Sequence, residues 1–211
     1  TRRWYLYFVV GYCFAYVLLL AVSSIRLAKD GQPSRAVHRM VRLVAFGLCA
    51  AGAMVLLIRR AQALMEAAGD DGDFDALCQQ LHRYQATLRT CFTLENFDNL
   101  IKNGRMRPIV GTLLRSLGIH IIADATAEGT IHVADKARGV GKTYRAITAL
   151  MKASKDCTDA EVVISHCENL EGAMALKRQI LADLPVKQVD LLSCRGLTSF
   201  YAMEKGLIVG Y

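Results

Sequence analysis

Three features of the chain carry residue types that could do chemistry, and each is judged by spacing. Gly139-Val140-Gly141-Lys142-Thr143 has the ending of a phosphate-binding loop, in which backbone N–H groups and a lysine cradle a nucleotide's phosphates. The full loop needs a glycine five residues before Gly141, and the residue there is Lys136. Nucleotide hydrolysis is therefore not expected, and the segment reads as a helix start with Lys142 in solvent. His166-Cys167-Glu168 stands just past a β-prone run, where an α/β active site would lie, but a histidine and cysteine adjacent in sequence align poorly as base and nucleophile. The cysteines, Cys13, Cys49, Cys78, Cys91, Cys157, Cys167 and Cys194, are odd in number, scattered and free of any C-x-x-C pair. Neither a disulfide framework nor a zinc site is expected, and reduced thiols suit a cytoplasm. The chain reads as a non-enzyme without metal or cofactor.

Charge is unevenly distributed. Nine of the 26 Lys and Arg lie in the first 60 residues against a single acid there, Asp30, whereas the remaining 17 cations face 18 acids. The basic pI of 9.1 thus belongs to the N-terminal piece. No basic helix or aromatic-basic alternation accompanies it, which argues against nucleic acid as a partner. Between those cations Trp4–Ile25 runs for 22 residues without a charge, and roughly 20 suffice for a helix to cross a bilayer core. Trp4, Tyr5 and Tyr7 sit at one end as interfacial aromatics would, with Arg2 and Arg3 outside them. The run is too long for a cleavable secretory signal and lacks a small-residue cleavage site. A second uncharged run, Leu43–Ile58, is only 16 residues, short for a span, and reads as a buried core helix.

From residue 47 helical and β-prone patterns alternate. Ala50–Ala68 has helical composition; a second helix places Phe74, Leu77, Leu81 and Tyr84 at spacings of three and four, giving one apolar face. TCFTL is a strand, followed by a helix over Glu95–Lys102 that Asn103-Gly104 stops, because both residues tolerate positive φ. After Pro108 another helix runs through Leu117. HIIADAT and TIHVADKA are two strands joined by a tight turn at Ala127-Glu128-Gly129-Thr130. Lys142–Lys155 is helical, EVVIS at Glu161–Ser165 is a buried strand, Leu170–Leu184 is an amphipathic helix, and residues 187–193 and Gly206–Tyr211 are strands. Such alternation predicts an α/β fold with a mixed sheet covered by helices.

Two of these segments, FTLENFDNLIKNGR at Phe92–Arg105 and RGLTSFYAMEKGLIVGY at Arg195–Tyr211, resemble the DegV family of bacterial lipid-binding proteins in their order and separation. In that family a strand leads into a helix ending in Gly-Gly-Arg, where this chain has Asn103-Gly104-Arg105, and the chain closes on a Gly-rich turn and a buried strand. Ala51–Leu64 matches the helix after the family's interdomain crossover, Leu117–Gly139 its strand pair and Arg-Gly turn, and VVISHCEN at Val162–Asn169 its penultimate strand. GYCFAYVLLLAVSS at Gly11–Ser24 looks like the family's central strand ending in a Ser-Ser pair. Departures accompany these matches. Many members close with H-T-G-P-G, whose histidine contacts the lipid carboxylate; here Tyr201-Ala202-Met203-Glu204-Lys205 stands in its place, as in a branch ending like RGLxSFYAxxGG. The family's opening strand with its Asp-Ser ending is missing.

The resemblance implies a DegV-like α/β domain over residues 47–211 and a carrier that binds a long-chain fatty acid and presents its carboxylate to a partner fatty-acid kinase. Burying a carboxylate costs several kcal/mol unless donors meet it. Ser23 and Ser24 are implied donors, and Arg105, Arg195, Ser199 and Tyr201 are further candidates, the last three placed in the loop before the final strand. A tyrosine hydroxyl donates a hydrogen bond to a carboxylate but supplies no positive charge. Residues 1–46 are either the remnant of the first DegV-like domain, with the whole chain cytoplasmic, or a membrane helix at residues 4–25 tethering it. The order of the elements favours the first. The alternative function is a membrane-tethered or degenerate DegV-like interaction module that binds no lipid.

Overall fold

The computed structural model describes residues 52–69, 72–95, 98–99, 117–125 and 131–211. Two helices come first, α1 over residues 52–68 and α2 at Phe74–Thr87. The order continues with β1 (Thr90–Leu94), β2 (Ile119–Ala125), β3 (Ile131–Arg138), α3 (Val140–Ser154), β4 (Glu161–His166), α4 (Leu170–Asp183), β5 (Gln188–Ser193), α5 (Leu197–Ala202) and β6 (Leu207–Gly210). The strands form a single sheet in the order β3-β2-β1-β6-β4-β5. Among the described residues only β4 and β5 pair parallel, joined through α4; every other neighbouring pair is antiparallel. The mixed sheet flanked by helices is the α/β class expected.

The last strand lies in the middle of the sheet. Phe92 of β1 stands opposite Ile208, and Ile164 of β4 opposite Val209. All four residues of β6 are buried, as an apolar run covered on both faces demands. Tyr211 extends the pairing by exchanging backbone hydrogen bonds with Arg89, at 2.8 and 3.0 Å, and its hydroxyl meets Ser154 Oγ at 2.7 Å.

Pleating sends alternate residues to opposite faces. On one face Cys91, Ile122, Val162, Ile164, Leu207 and Val209 pack against α3 and α4. The helices answer with the period expected of them: Tyr144, Ile147 and Met151 from α3, and Ala173, Leu176 and Ile180 from α4, recur every three or four residues. Each fully buried Ile, Leu or Met contributes about 1.5–3 kcal/mol. Thr148 Oγ1 donates to Asp183 Oδ2 at 2.7 Å and joins the two helices. Asn169 caps α4 by accepting from the Gly172 N–H at 3.1 Å.

The opposite face is crossed by α1. A β-carbon on Gly52 would lie 2.8 Å from Gly210 N, and one on Gly210 would lie 2.6 Å from Ala53 N. Helix and strand backbones therefore touch, an approach open only to glycine. Arg59 of α1 also pairs with Asp190 of β5. Residues 52–58 are helical where the core-helix reading falls on described residues, with Gly52 and Leu56 buried and the others half-buried.

Some expectations need correction, though not the apolar face of α2, where Leu77, Leu81 and Tyr84 are half-buried and Phe74 is 63% exposed. The helix is held by Asp73, which accepts from the Asp75 N–H, and by Arg60 of α1 over the Tyr84 ring at 5.7 Å. Leu117 lies in a turn ahead of β2, and α3 starts two residues before Lys142. Trp4–Ile25, most of Glu95–Lys102, the segment after Pro108, the turn at Ala127–Thr130 and the boundary near residue 47 fall outside the described residues. Among the described residues no helix is long and apolar enough to cross a membrane.

Candidate functional site

The face crossed by α1 carries a second apolar cluster, and its members follow from register. Phe92 pairs with Ile208 on one side and Ala123 on the other, and Leu94 pairs with Ile121, so all five project the same way. Tyr201 and Ala202 of α5 lie over them, with Ile119, Cys167 and Cys194 packed at the edge. Phe92, Leu94, Ile121 and Ile208 are each at most 5% exposed.

Helix α5 stands where the sequence predicts a loop. It is six residues long, begins after Gly196 at φ 56° and ends at Met203 at φ 52°. Gly206 N–H reaches back to Met203 O and Lys205 N–H to Cys167 O, so the turn into β6 is tied to the end of β4. Met203 and Lys205, at φ 52° and 67°, both occupy the left-handed region. They are the two positions matched to the glycines of H-T-G-P-G. The turn therefore keeps a glycine-like shape with side chains that make it strained.

Of the residues singled out from sequence, α5 carries Ser199 and Tyr201, two positions apart and so on different sides of the helix. Tyr201 is 6% exposed within the apolar cluster, its ring edge-on to Phe200 at 4.9 Å between centroids. Ser199 is half-buried, and its carbonyl accepts from the Met203 N–H at 2.9 Å and from Cys167 Sγ at 3.9 Å. Arg195 is exposed in the turn between β5 and α5. Ser23, Ser24 and Arg105 lie outside the described residues.

Sequence reasoning missed Cys167 and Cys194 as parts of this cluster. Each stands one residue beyond the end of neighbouring in-register parallel strands, β4 and β5, and the Cys194 N–H donates to His166 O at 2.8 Å. The signal was present: EVVISH and QVDLLS are matched strands, each followed directly by a cysteine. Burial first, and Cys167 second, push the Cys194 thiol up to about 12. Burial first, then Glu168, raises Cys167 as well. Both thiols are neutral near pH 7, which makes them an apolar, polarisable wall rather than nucleophiles.

A family model described as the uncharacterised proteins of the DegV family matches residues 21–206. A DegV domain-containing protein of Streptococcus pneumoniae is 31% identical over 195 residues, which take in 90% of this chain and 66% of that protein. Among solved structures, the Fatty Acid Kinase B3 protein of Streptococcus pneumoniae, loaded with linoleic acid, superposes with a TM-score of 0.67 at 30% identity, over 76% of this chain and 56% of that one. A DegV family protein of Eubacterium eligens loaded with heptadecanoic acid gives a TM-score of 0.67 at 25% identity, over 74% and 55%. The chain thus spans little more than half of the solved structures and just under two-thirds of the pneumococcal relative.

Proposed function

The chain belongs to the DegV family, and on that premise we propose that it binds a long-chain fatty acid along the apolar face of β1, β2 and β6 and presents the carboxylate to a partner fatty-acid kinase. The observation that carries this reading is the cluster beneath α5, where Phe92, Leu94, Ile121 and Ile208 form a buried apolar layer packed against Tyr201. Support comes from the two structural relatives, one loaded with linoleic and the other with heptadecanoic acid, the first of them a Fatty Acid Kinase B3 protein.

Physical chemistry divides the work. Each buried methylene of the acyl chain contributes about 0.8 kcal/mol, so the tail supplies affinity. The carboxylate must keep hydrogen bonds or lose several kcal/mol. In this reading Tyr201 and Ser199 donate neutral hydrogen bonds, Arg195 or Arg105 supplies the charge that a tyrosine lacks, and Ser23 and Ser24 complete the set from the N-terminal piece. Residues 47–211 then form the carrier domain, and residues 1–46 contribute to the mouth of the site. In this reading the protein holds the lipid without reacting with it. The cytoplasm suits free cysteines of this kind.

Protein purified from a bacterial host is expected to carry a long-chain acyl lipid near one per chain, measured by organic extraction and mass spectrometry. High-yield, folded protein devoid of such lipid, and unable to take up oleic acid after delipidation, would refute the carrier reading.

A further inference from the structure

Helix α4, on the far side of the sheet from the proposed acyl site, carries an apolar surface that the core leaves uncovered. Leu170, Met174 and Leu181 are 53%, 41% and 48% exposed. With half-buried Lys177 they are spaced four, three and four residues apart, so the four form one stripe along about 16 Å of helix. Single apolar residues on a surface are ordinary, but three large ones at the spacing of a helix–helix seam are not. The stripe is distinct from the buried side of α4, and it faces away from α3. Asp183, which accepts from Thr148 of α3, is two residues and so about 200° round the helix from Leu181. Because α4 packs on β4 and on the edge strand β5, with α3 on β2 and β3, the stripe looks outward past the edge of the sheet.

The charges beside the stripe suit a partner rather than α4 itself. Glu171 and Arg178 are both exposed and seven residues apart, which sets them on the same side of the stripe. Within the helix neither has an opposite charge three or four positions away, where it would be neutralised. Neither has an ion-pair partner among the described residues. An antiparallel copy of the same helix supplies both. With a two-fold axis midway between Met174 and Lys177, Leu170 of one helix meets Leu181 of the other, and Met174 meets the Lys177 stem, whose ammonium stays in water. Glu171 of each then lies beside Arg178 of the other. A parallel copy would instead set Glu171 against Glu171 and Arg178 against Arg178.

We propose that this flank of α4 is a contact surface for a second copy of the chain, the two α4 helices packing antiparallel about a two-fold axis. The same patch serves on both copies, so the contact closes on itself as a dimer. Two helices of this length cover less than the ~1,200 Å² of a standard stable complex, so the dimer forms and dissociates with protein concentration. Its seam lies on the opposite side of the sheet from Phe92, Leu94, Ile121 and Ile208, and dimer formation leaves that face untouched.

The test is sedimentation equilibrium of the 211-residue chain, in the presence of a reductant so that no intermolecular disulfide contributes, across a wide range of protein concentration. A monomer–dimer equilibrium is expected. Met174→Glu places a charge in the middle of the seam and should leave a monomer at every concentration. Arg178→Glu sets like charges against each other and should weaken the dimer by at least about tenfold. Adding Glu171→Arg to it reverses both ends of each pair and should return the affinity to within about threefold of the wild type. All three variants change exposed positions and should keep the wild-type melting temperature closely. A chain that stays monomeric throughout, a dimer undisturbed by Met174→Glu, or a double variant that associates no better than Arg178→Glu would each overturn the proposal.

Discussion

Replacing Tyr201 with phenylalanine removes one oxygen from the face proposed to hold the acyl chain and keeps the ring that packs edge-on against Phe200 at 4.9 Å. Because Tyr201 is only 6% exposed, a hydrogen bond from its hydroxyl to a carboxylate is made away from bulk water. Hydrogen bonds to charged groups contribute about 1.5–3 kcal/mol, which corresponds to a loss of about 10- to 150-fold in affinity. The loss should be confined to the head group. Delipidated wild-type and Tyr201→Phe proteins are titrated with oleic acid and with oleyl alcohol, which shares the tail but carries no charge. Oleic acid affinity is expected to fall within that range, while oleyl alcohol affinity changes by less than about threefold. Equal oleic acid affinity for the two proteins would remove Tyr201 from the carboxylate's partners. A matching loss for the alcohol would make it a wall of the tail site instead.

Gly210→Ala would place a β-carbon 2.6 Å from backbone atoms of both Gly52 and Ala53; overpacking of this kind costs about 1–3 kcal/mol, read as a lowered urea midpoint. Gly52→Ala presses on the same contact, so the double variant should cost clearly less than the sum of the two, and strict additivity would refute the close approach. Met203→Gly should stabilise the protein by about 0.5–1 kcal/mol, since a side chain at φ 52° is strained and glycine is not; a lower melting temperature would contradict this. The Cys194 thiol is raised from 9.0 to about 12, with burial as the first cause. A raised folded-state value favours the protonated form, so this stabilisation is complete below pH 9 and is lost as pH climbs from 9 towards 12. Urea midpoints should therefore fall less between about pH 8 and about pH 11 for Cys194→Ala than for wild type, with Tyr211 as a common background; identical slopes would refute it.

What could be read in advance was local. EVVIS, TCFTL and the terminal LIVG run are apolar and β-rich because both their faces are covered, and α3 and α4 advertise their buried stripes through Tyr144, Ile147 and Met151, and Ala173, Leu176 and Ile180. The order of these elements, with the segments at Phe92–Arg105 and Arg195–Tyr211, was enough for the α/β class and the family resemblance. Helix α5 escaped because six residues carry too little periodicity, and its neighbours Gly196 and Gly206 suggest a loop. The apolar face of α2 could be read from periodicity, but that it is only half-buried could not, because periodicity says nothing of what covers a side.

Sequence by itself determined which residues alternate along each strand, and therefore that Phe92 and Leu94 face one way and Cys91 and Thr93 the other. Tertiary structure alone decided what meets them. Antiparallel pairing of β1 with a strand more than a hundred residues later sets Thr93 beside Leu207 and Phe92 beside Ile208. That register is a long-range match of hydrogen bonds and packing that no local pattern contains. The same holds for Cys167 beside Cys194 and for Gly52 against Gly210. Each depends on distant segments being brought within van der Waals reach by the burial of the whole sheet.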